Sequence, residues 1–395
     1  MKQALLIIIL LTLLSGCRTS SSSQPVANTT MPTVPAEMGT LVVGSASGQV
    51  WLLAGGESPR LLTRGEHPLV SPGGCWVVVG PEQAEYWLVS ADGSSKTRLF
   101  SPHDGWGDLV YALVWAPDGR ALLATTGSSI KALPSGDLHR IEVPGGTVTR
   151  LATQDAGNPR VSPDGRWIAT SLPWTGYTQG AVGLLATDGT DQRLLFSRLL
   201  SQSLIWSADS SGLSVALARL DETRPADWEL WWVPVSGDPV RLGTLPGARL
   251  PSWAPDGQRL AYQAAEDGTL HLTSRDGLHD IVVPDSTGLE LWQGAWSDLA
   301  GASPWSPDSR WLLVSKIVSD ASPAHYLVDT GRRNALRSLD VDWVHGWLDA
   351  SQFLATISTG PSRGLHRCST DGRCQLLLPE LELTGASYAS TICIP

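Results

Sequence analysis

Between residues 40 and 379 the chain alternates short apolar runs with turns made of Gly, Pro, Asp and Ser. The stretch VWAPDGRALLA, starting at Val114, shows the unit. An apolar strand ends in Trp115, Pro-Asp-Gly makes a turn, and a second apolar strand follows. Proline presets φ for such a turn and glycine supplies the positive φ it needs.

The unit recurs as LVSPGGCWVVV, RVSPDGRWIAT, IWSADSSGLSV, SWAPDGQRLAY, PWSPDSRWLLV and GWLDASQFLAT. The turns, at residues 72, 117, 163, 208, 255, 307 and 349, are spaced by 45, 46, 45, 47, 52 and 42 residues. A second, Gly-containing turn lies between them, as in SADGSSKTRL and STDGRCQLLL, and occurs eight times. Each period therefore holds four short strands, A to D. Four strands in a period of this length is the signature of a β-propeller blade.

The mismatch of seven against eight has a simple solution. The first unit, Thr40 to Leu62, has strands B, C and D but no A. The C-terminal stretch ASYASTICIP is a spare strand. If it supplies the missing strand A, the ring closes as eight antiparallel blades with no exposed edge left at the seam. A ring of seven follows instead if the N-terminal unit packs irregularly.

Composition supports a large all-β core, with 42% hydrophobic and only 17% charged residues. Eighteen Trp stand against three Phe. Trp115, Trp206, Trp253, Trp305 and Trp347 fall at the motif position and are expected to pack between blades. A net charge of −10 disfavours nucleic acid and anionic membrane surfaces as partners.

The N-terminus reads differently. MKQALLIIILLTLLSGC has one Lys, an apolar run from Ala4 to Leu14, and small residues before Cys17. The run is short for a membrane span, and its flanks are those of a secretory signal. Leu14-Ser15-Gly16-Cys17 resembles the lipobox of bacterial lipoproteins. That resemblance implies a signal over residues 1–16 and a lipid-bearing Cys17, so the membrane becomes a partner through an acyl anchor. Residues 17–38 read as a Ser/Thr/Pro-rich tether, and 39–395 as the propeller. The expected location is the cell envelope, with the propeller outside the cytoplasm.

Four cysteines remain, an even number for an oxidising compartment. Cys368 and Cys374 flank the turn of a C–D hairpin. Cys75 follows the first A–B turn, and Cys393 ends the closing strand. These positions suggest the pairs Cys368–Cys374 and Cys75–Cys393, with free buried thiols as the alternative.

The repeat resembles that of TolB-type propellers, relatives of WD-type repeats, whose hallmark is Trp-Ser-Pro-Asp-Gly followed by a basic residue. The likeness covers residues 40 to 395; four copies keep Pro-Asp and three keep Pro-Asp-Gly. It implies an extracytoplasmic TolB-like propeller of unassigned role. The chain departs from TolB in having only a tether before the propeller.

Topology places the A–B and C–D turns on one face and the B–C and D–A connections on the other. Most long segments, including 101–108, 171–180, 218–228 and 285–303, belong to the second face. Long loops on a rigid scaffold are where binding concentrates. The candidate contact residues are Trp106, Trp174, Tyr177, Trp228, Trp292, Trp296 and Asp298. Indole and phenol rings bury much area at little entropic cost. No Gly-x-Ser-x-Gly, His-Glu-x-x-His, Cys-x-x-Cys or phosphate loop occurs. No cofactor is expected. His103, His325 and His345 are the one set that could approach a channel metal, without a supporting pattern. The expected function is non-catalytic binding of an envelope protein or peptide, with a carbohydrate or small ligand as the alternative and a metal-dependent lyase or hydrolase behind it.

Overall fold

Eight antiparallel four-stranded sheets are arranged as the blades of a β-propeller. The computed structural model describes residues 31–82, 85–105, 109–127, 136–156, 159–172, 181–197, 199–219, 227–292, 303–317, 323–332, 334–360, 363–379, 383–391 and 393. Blade 1 comprises residues 40–64, and blades 2 to 8 span 69–100, 109–156, 160–197, 199–246, 248–282, 290–339 and 343–379.

The ring closes as the sequence suggests. Strand Leu383–Ala389 takes the innermost place in blade 1 and pairs antiparallel with Thr40–Ser45, Val42 opposite Ser387. Cys75 and Cys393 form a disulfide across this seam, and Cys368 and Cys374 form another within blade 8.

Burial follows each strand's place in its blade. Second strands are packed on both faces: Ala121 through Thr126 are all buried, as are Val77, Val78 and Val79. Outer strands face solvent, as Lys96, Thr97 and Arg98 show. The core therefore lies in layers between neighbouring blades. One layer joins Trp305, Leu312 and Val314 of blade 7 to Ala261, Leu270 and Leu272 of blade 6.

The motif tryptophans add a recurrent hydrogen bond to this packing. Trp115 Nε1 donates to the Leu69 carbonyl at 3.2 Å, and Trp206 Nε1 to that of Arg160 at 2.9 Å. Trp305 Nε1 reaches Ser252 O, and Trp347 Nε1 reaches Pro304 O, each at 3.2 Å. In every case the acceptor belongs to the preceding blade. Each indole thus fills an inter-blade layer and satisfies its polar edge there. Trp253 packs in the corresponding layer, between blades 5 and 6, but its buried Nε1 has no hydrogen-bond partner among the described residues.

The turns keep their geometry even where the motif fails. Gly119, Gly165 and Gly257 have φ of 67°, 73° and 64°. Ser210 and Ser309 stand in the glycine place of their copies and hold φ of 59° and 62°. Their hydroxyls accept from the Asp164 and Asp256 amides, one turn back around the ring, at 3.0 and 2.9 Å.

Two segments differ from the sequence reading. Val34 and Met38, placed in the tether, are buried in a layer with Leu41, Leu348 and Leu354. Val34 also exchanges backbone hydrogen bonds with Glu57 and Gly56. Residues 285–303, read as a connection preceding strand A of blade 7, instead contain its start. Glu290–Leu291 pairs with Ser315 and Val314, Trp292 N donates to Leu313 O, and Trp305 bridges to Leu312.

Candidate functional site

The innermost strands and the A–B turns surround a cavity of about 820 Å³ at the short-turn end of the central channel. Its rim is set by the repeat. Pro72, Pro117, Pro163, Pro255 and Pro307, the prolines of five motif turns, line it. Trp115, Trp206, Trp305 and Trp347 stand beside them, and Leu69, Val114, Val161, Leu204 and Ile205 complete an apolar wall. Because each blade contributes the same turn, the wall is assembled by repetition. A concave apolar surface with few polar groups is the usual form of a ligand site.

The polar exceptions are therefore informative. Arg160 is the one charged side chain among the described lining residues. It lies on strand Arg160–Val161, opposite Ala169, at the channel end of blade 4. Its carbonyl is fixed by Trp206. Burial pulls the guanidinium below its ordinary pKa. His345 also lines the cavity, with Nε2 2.7 Å from Thr356 Oγ1. Burial, and secondarily His325, lowers its pKa to about 4, so it is neutral at physiological pH. Ser303, Ser387, Tyr388 and Ser390 supply hydroxyls or backbone groups.

Among the earlier candidates, Trp228 and Trp292 are described, and both are buried. Trp228 is 3% exposed, packs against Leu245 and Trp253, and donates from Nε1 to Ala248 O at 2.8 Å. Trp292 is 6% exposed and packs with Trp311, Leu327 and Phe353 between blades 7 and 8. Neither ring faces solvent; each closes an inter-blade layer. Cys17, Trp106, Trp174, Tyr177, Trp296 and Asp298 lie outside the described residues. The loop acid Asp104 engages Arg98 at 2.7 Å and accepts from the Ser101 amide, which stabilises the turn at residues 101–105.

The three histidines do not assemble. His103 is exposed on that turn. His325 is buried, with Nδ1 2.9 Å from Ser315 Oγ and its ring edge-on to Trp343. Among the described residues no three His, Cys, Asp or Glu side chains form a metal-holding group.

Sequence reasoning missed Arg160 although a signal was present. It precedes the motif tryptophan position, where other copies carry Leu69, Val114, Ile205, Ser252, Pro304 and Gly346. One cation in a column of uncharged residues marks a departure from the repeat. Attention to loop length drew the search to the opposite face.

No protein-family model and no curated protein matches the chain. Solved structures do resemble it. The dihydro-heme d1 dehydrogenase NirN, solved with DHE bound, is 16% identical with a TM-score of 0.59, over 93% of this chain and 79% of that one. Oligogalacturonate lyase from Vibrio parahaemolyticus is 13% identical with a TM-score of 0.51, over 77% of this chain and 90% of that one. TolB from Acinetobacter baumannii is 15% identical over 63% of each chain, with a TM-score of 0.36, too low to bear on function. These identities establish the propeller fold alone.

Proposed function

We propose that this protein is a lipid-anchored binding propeller of the cell envelope that seats an extended segment of a protein or peptide partner in the short-turn mouth of its channel. The observation that carries the reading is the cavity of about 820 Å³ walled by motif prolines and tryptophans. Proline and indole surfaces suit extended chains because they offer broad apolar contact with little rotamer entropy to lose. The two disulfides support an oxidising compartment. Lipidation at Cys17 rests on the lipobox resemblance. Among the described residues no helix is long and apolar enough to cross a membrane.

The long-loop face remains a proposed contact surface through Trp106, Trp174, Tyr177, Trp296 and Asp298. Burial of Trp228 and Trp292 shifts the preference to the channel mouth. Photo-cross-linking in intact cells separates the two. A benzophenone residue replacing Ile205 should give a discrete protein or peptide adduct. Adducts from position 296 alone would move the site to the other face, and none from either would overturn the binding reading.

A further inference from the structure

Arg160 is a cavity-lining side chain that the described residues leave unused. Several arginines have partners: Arg98 pairs with Glu85 and Asp104, Arg140 with Glu142, Arg310 with Asp329, and Arg367 with Glu37. Arg193 donates to the Val235 carbonyl. Among the described residues the Arg160 guanidinium has neither an ion pair nor a hydrogen bond. Only its carbonyl is engaged, by Trp206.

This matters because of where it sits. The described cavity wall is otherwise aliphatic, aromatic, proline or neutral polar, and it contains no acid. A guanidinium does not discharge at any physiological pH. Its partial desolvation is relieved by water or by an anion. A carboxylate fits best, since two parallel N–H donors match its two oxygens. One cation in the described cavity wall, within a chain of net charge −10, favours one negative charge rather than a polyanion.

The rest of the ligand follows from the walls. Strand Arg160–Val161 is the end strand of its sheet, pairing on one side only with the strand Trp167–Leu172. The other innermost strands are likewise the end strands of their sheets, and their inner edges face the channel, with the Val70 and Trp253 amides already donating to the Ser387 and Ser203 hydroxyls of the preceding blade. Such edges hydrogen-bond an extended backbone. Apolar walls, inner strand edges and one arginine together describe a short apolar peptide with a carboxylate.

We propose that Arg160 anchors the C-terminal carboxylate of an extended apolar peptide segment bound in the channel mouth. The inference rests on the channel-mouth reading above and gives it a chemical specificity.

The test uses the full lipidated chain in nanodiscs and calorimetric titration with three probes. They are acetyl-Leu-Val-Leu with a free C-terminus, the same peptide as its C-terminal amide, and 4-phenylbutyrate. The free acid should bind about tenfold more tightly than the amide, as expected for one charge-assisted bidentate contact. Arg160→Gln should erase that ratio, and Arg160→Lys should keep part of it. The thermal midpoint of Arg160→Gln should not fall, because the variant removes an unpaired, partly desolvated charge.

Equal binding of acid and amide to the wild type, or a ratio that survives Arg160→Gln, would overturn the anchoring role and leave the peptide seat standing. Phenylbutyrate binding as tightly as the peptide acid would keep the carboxylate contact but overturn the peptide assignment. No binding by any probe would overturn both this inference and the channel-mouth reading.

Discussion

Cys75 and Cys393 are separated by 318 residues, yet their Cα atoms lie 4.6 Å apart. The bond joins Cys393, beyond the closing strand, to Cys75 at the end of the first A–B turn. It does so beside the seam where the C-terminal strand enters blade 1. Thr40 Oγ1 donates to Thr391 O at 2.9 Å, and Thr391 Oγ1 donates to Pro72 O at 2.7 Å, so the same seam is also tied non-covalently.

Cys75→Ser with Cys393→Ser should therefore lower stability strongly without abolishing the fold. Chain entropy alone gives roughly 6 kcal/mol as an upper figure for so long a loop. Residual seam contacts in the unfolded ensemble would reduce it. Cys368→Ser with Cys374→Ser opens a loop with a separation of only 6 residues, already held by strand pairing. Its effect should be about 2 kcal/mol or less. Urea unfolding of the two double variants decides this; equal midpoints would contradict the seam's role.

Ser309 tests how the ring tolerates a missing glycine. It sits at φ 62° and is buried, and its hydroxyl accepts from Asp256 N in the previous blade at 2.9 Å. Ser309→Ala keeps the backbone strain and loses the bond, so it should destabilise by about 1–3 kcal/mol. Ser309→Gly loses the same bond but gains the left-handed freedom that the turn requires. The glycine variant should be the more stable of the two by about 1 kcal/mol. Thermal melts that reverse the order would show that relief of the left-handed φ does not govern the difference between the two variants.

The inter-blade tryptophans should be costly to truncate. Trp305 is 1% exposed and packs against blade 6 while bonding to Ser252 O. Trp305→Ala should lose about 3–5 kcal/mol through the cavity it leaves. Trp305→Phe keeps much of the volume and should lose less. Denaturant unfolding of both variants checks the pair. A loss below about 1 kcal/mol for alanine would mean that the layer collapses around the gap.

The architecture was legible in the sequence because the repeat is local. Each Trp-x-Pro-Asp-Gly turn announces two strands, and the unmatched C-terminal strand announces closure. The cysteine pairs were legible for the same reason, since each cysteine had a definite place in a blade. The proposed channel-mouth site was not legible by the same route. Loop length pointed to one face, but Trp228 and Trp292 turned out to fill layers between blades, where a bulky ring is simply a good plug. The start of blade 7 was hidden because Glu290–Leu291 is two residues long and separated from Trp305 by an insertion. Arg160 was visible only as a break in a column of equivalent positions.

Acidification should unfold the propeller through His345 before its carboxylates matter. Burial lowers the His345 pKa to about 4, and burial also lowers those of His139 and His325. An unfolded histidine titrates near 6.5. The unfolded chain therefore binds protons first as pH falls, and stability declines from about pH 6.5 down to the folded values. For His345 the decline amounts to about 3 kcal/mol across that window, reached near pH 4. Asp92 and Asp209 are lowered to about 2 by hydrogen bonds, first from the Ser90 and Ser207 hydroxyls. Their contribution is lost only below about pH 4, so it does not confuse the reading. His345→Gln keeps a polar contact for Thr356 and removes the titration. Urea midpoints measured from pH 7 to pH 4.5 should fall less steeply for this variant than for the wild type. Parallel curves would mean that His345 takes up its proton in the folded state as readily as in the unfolded chain.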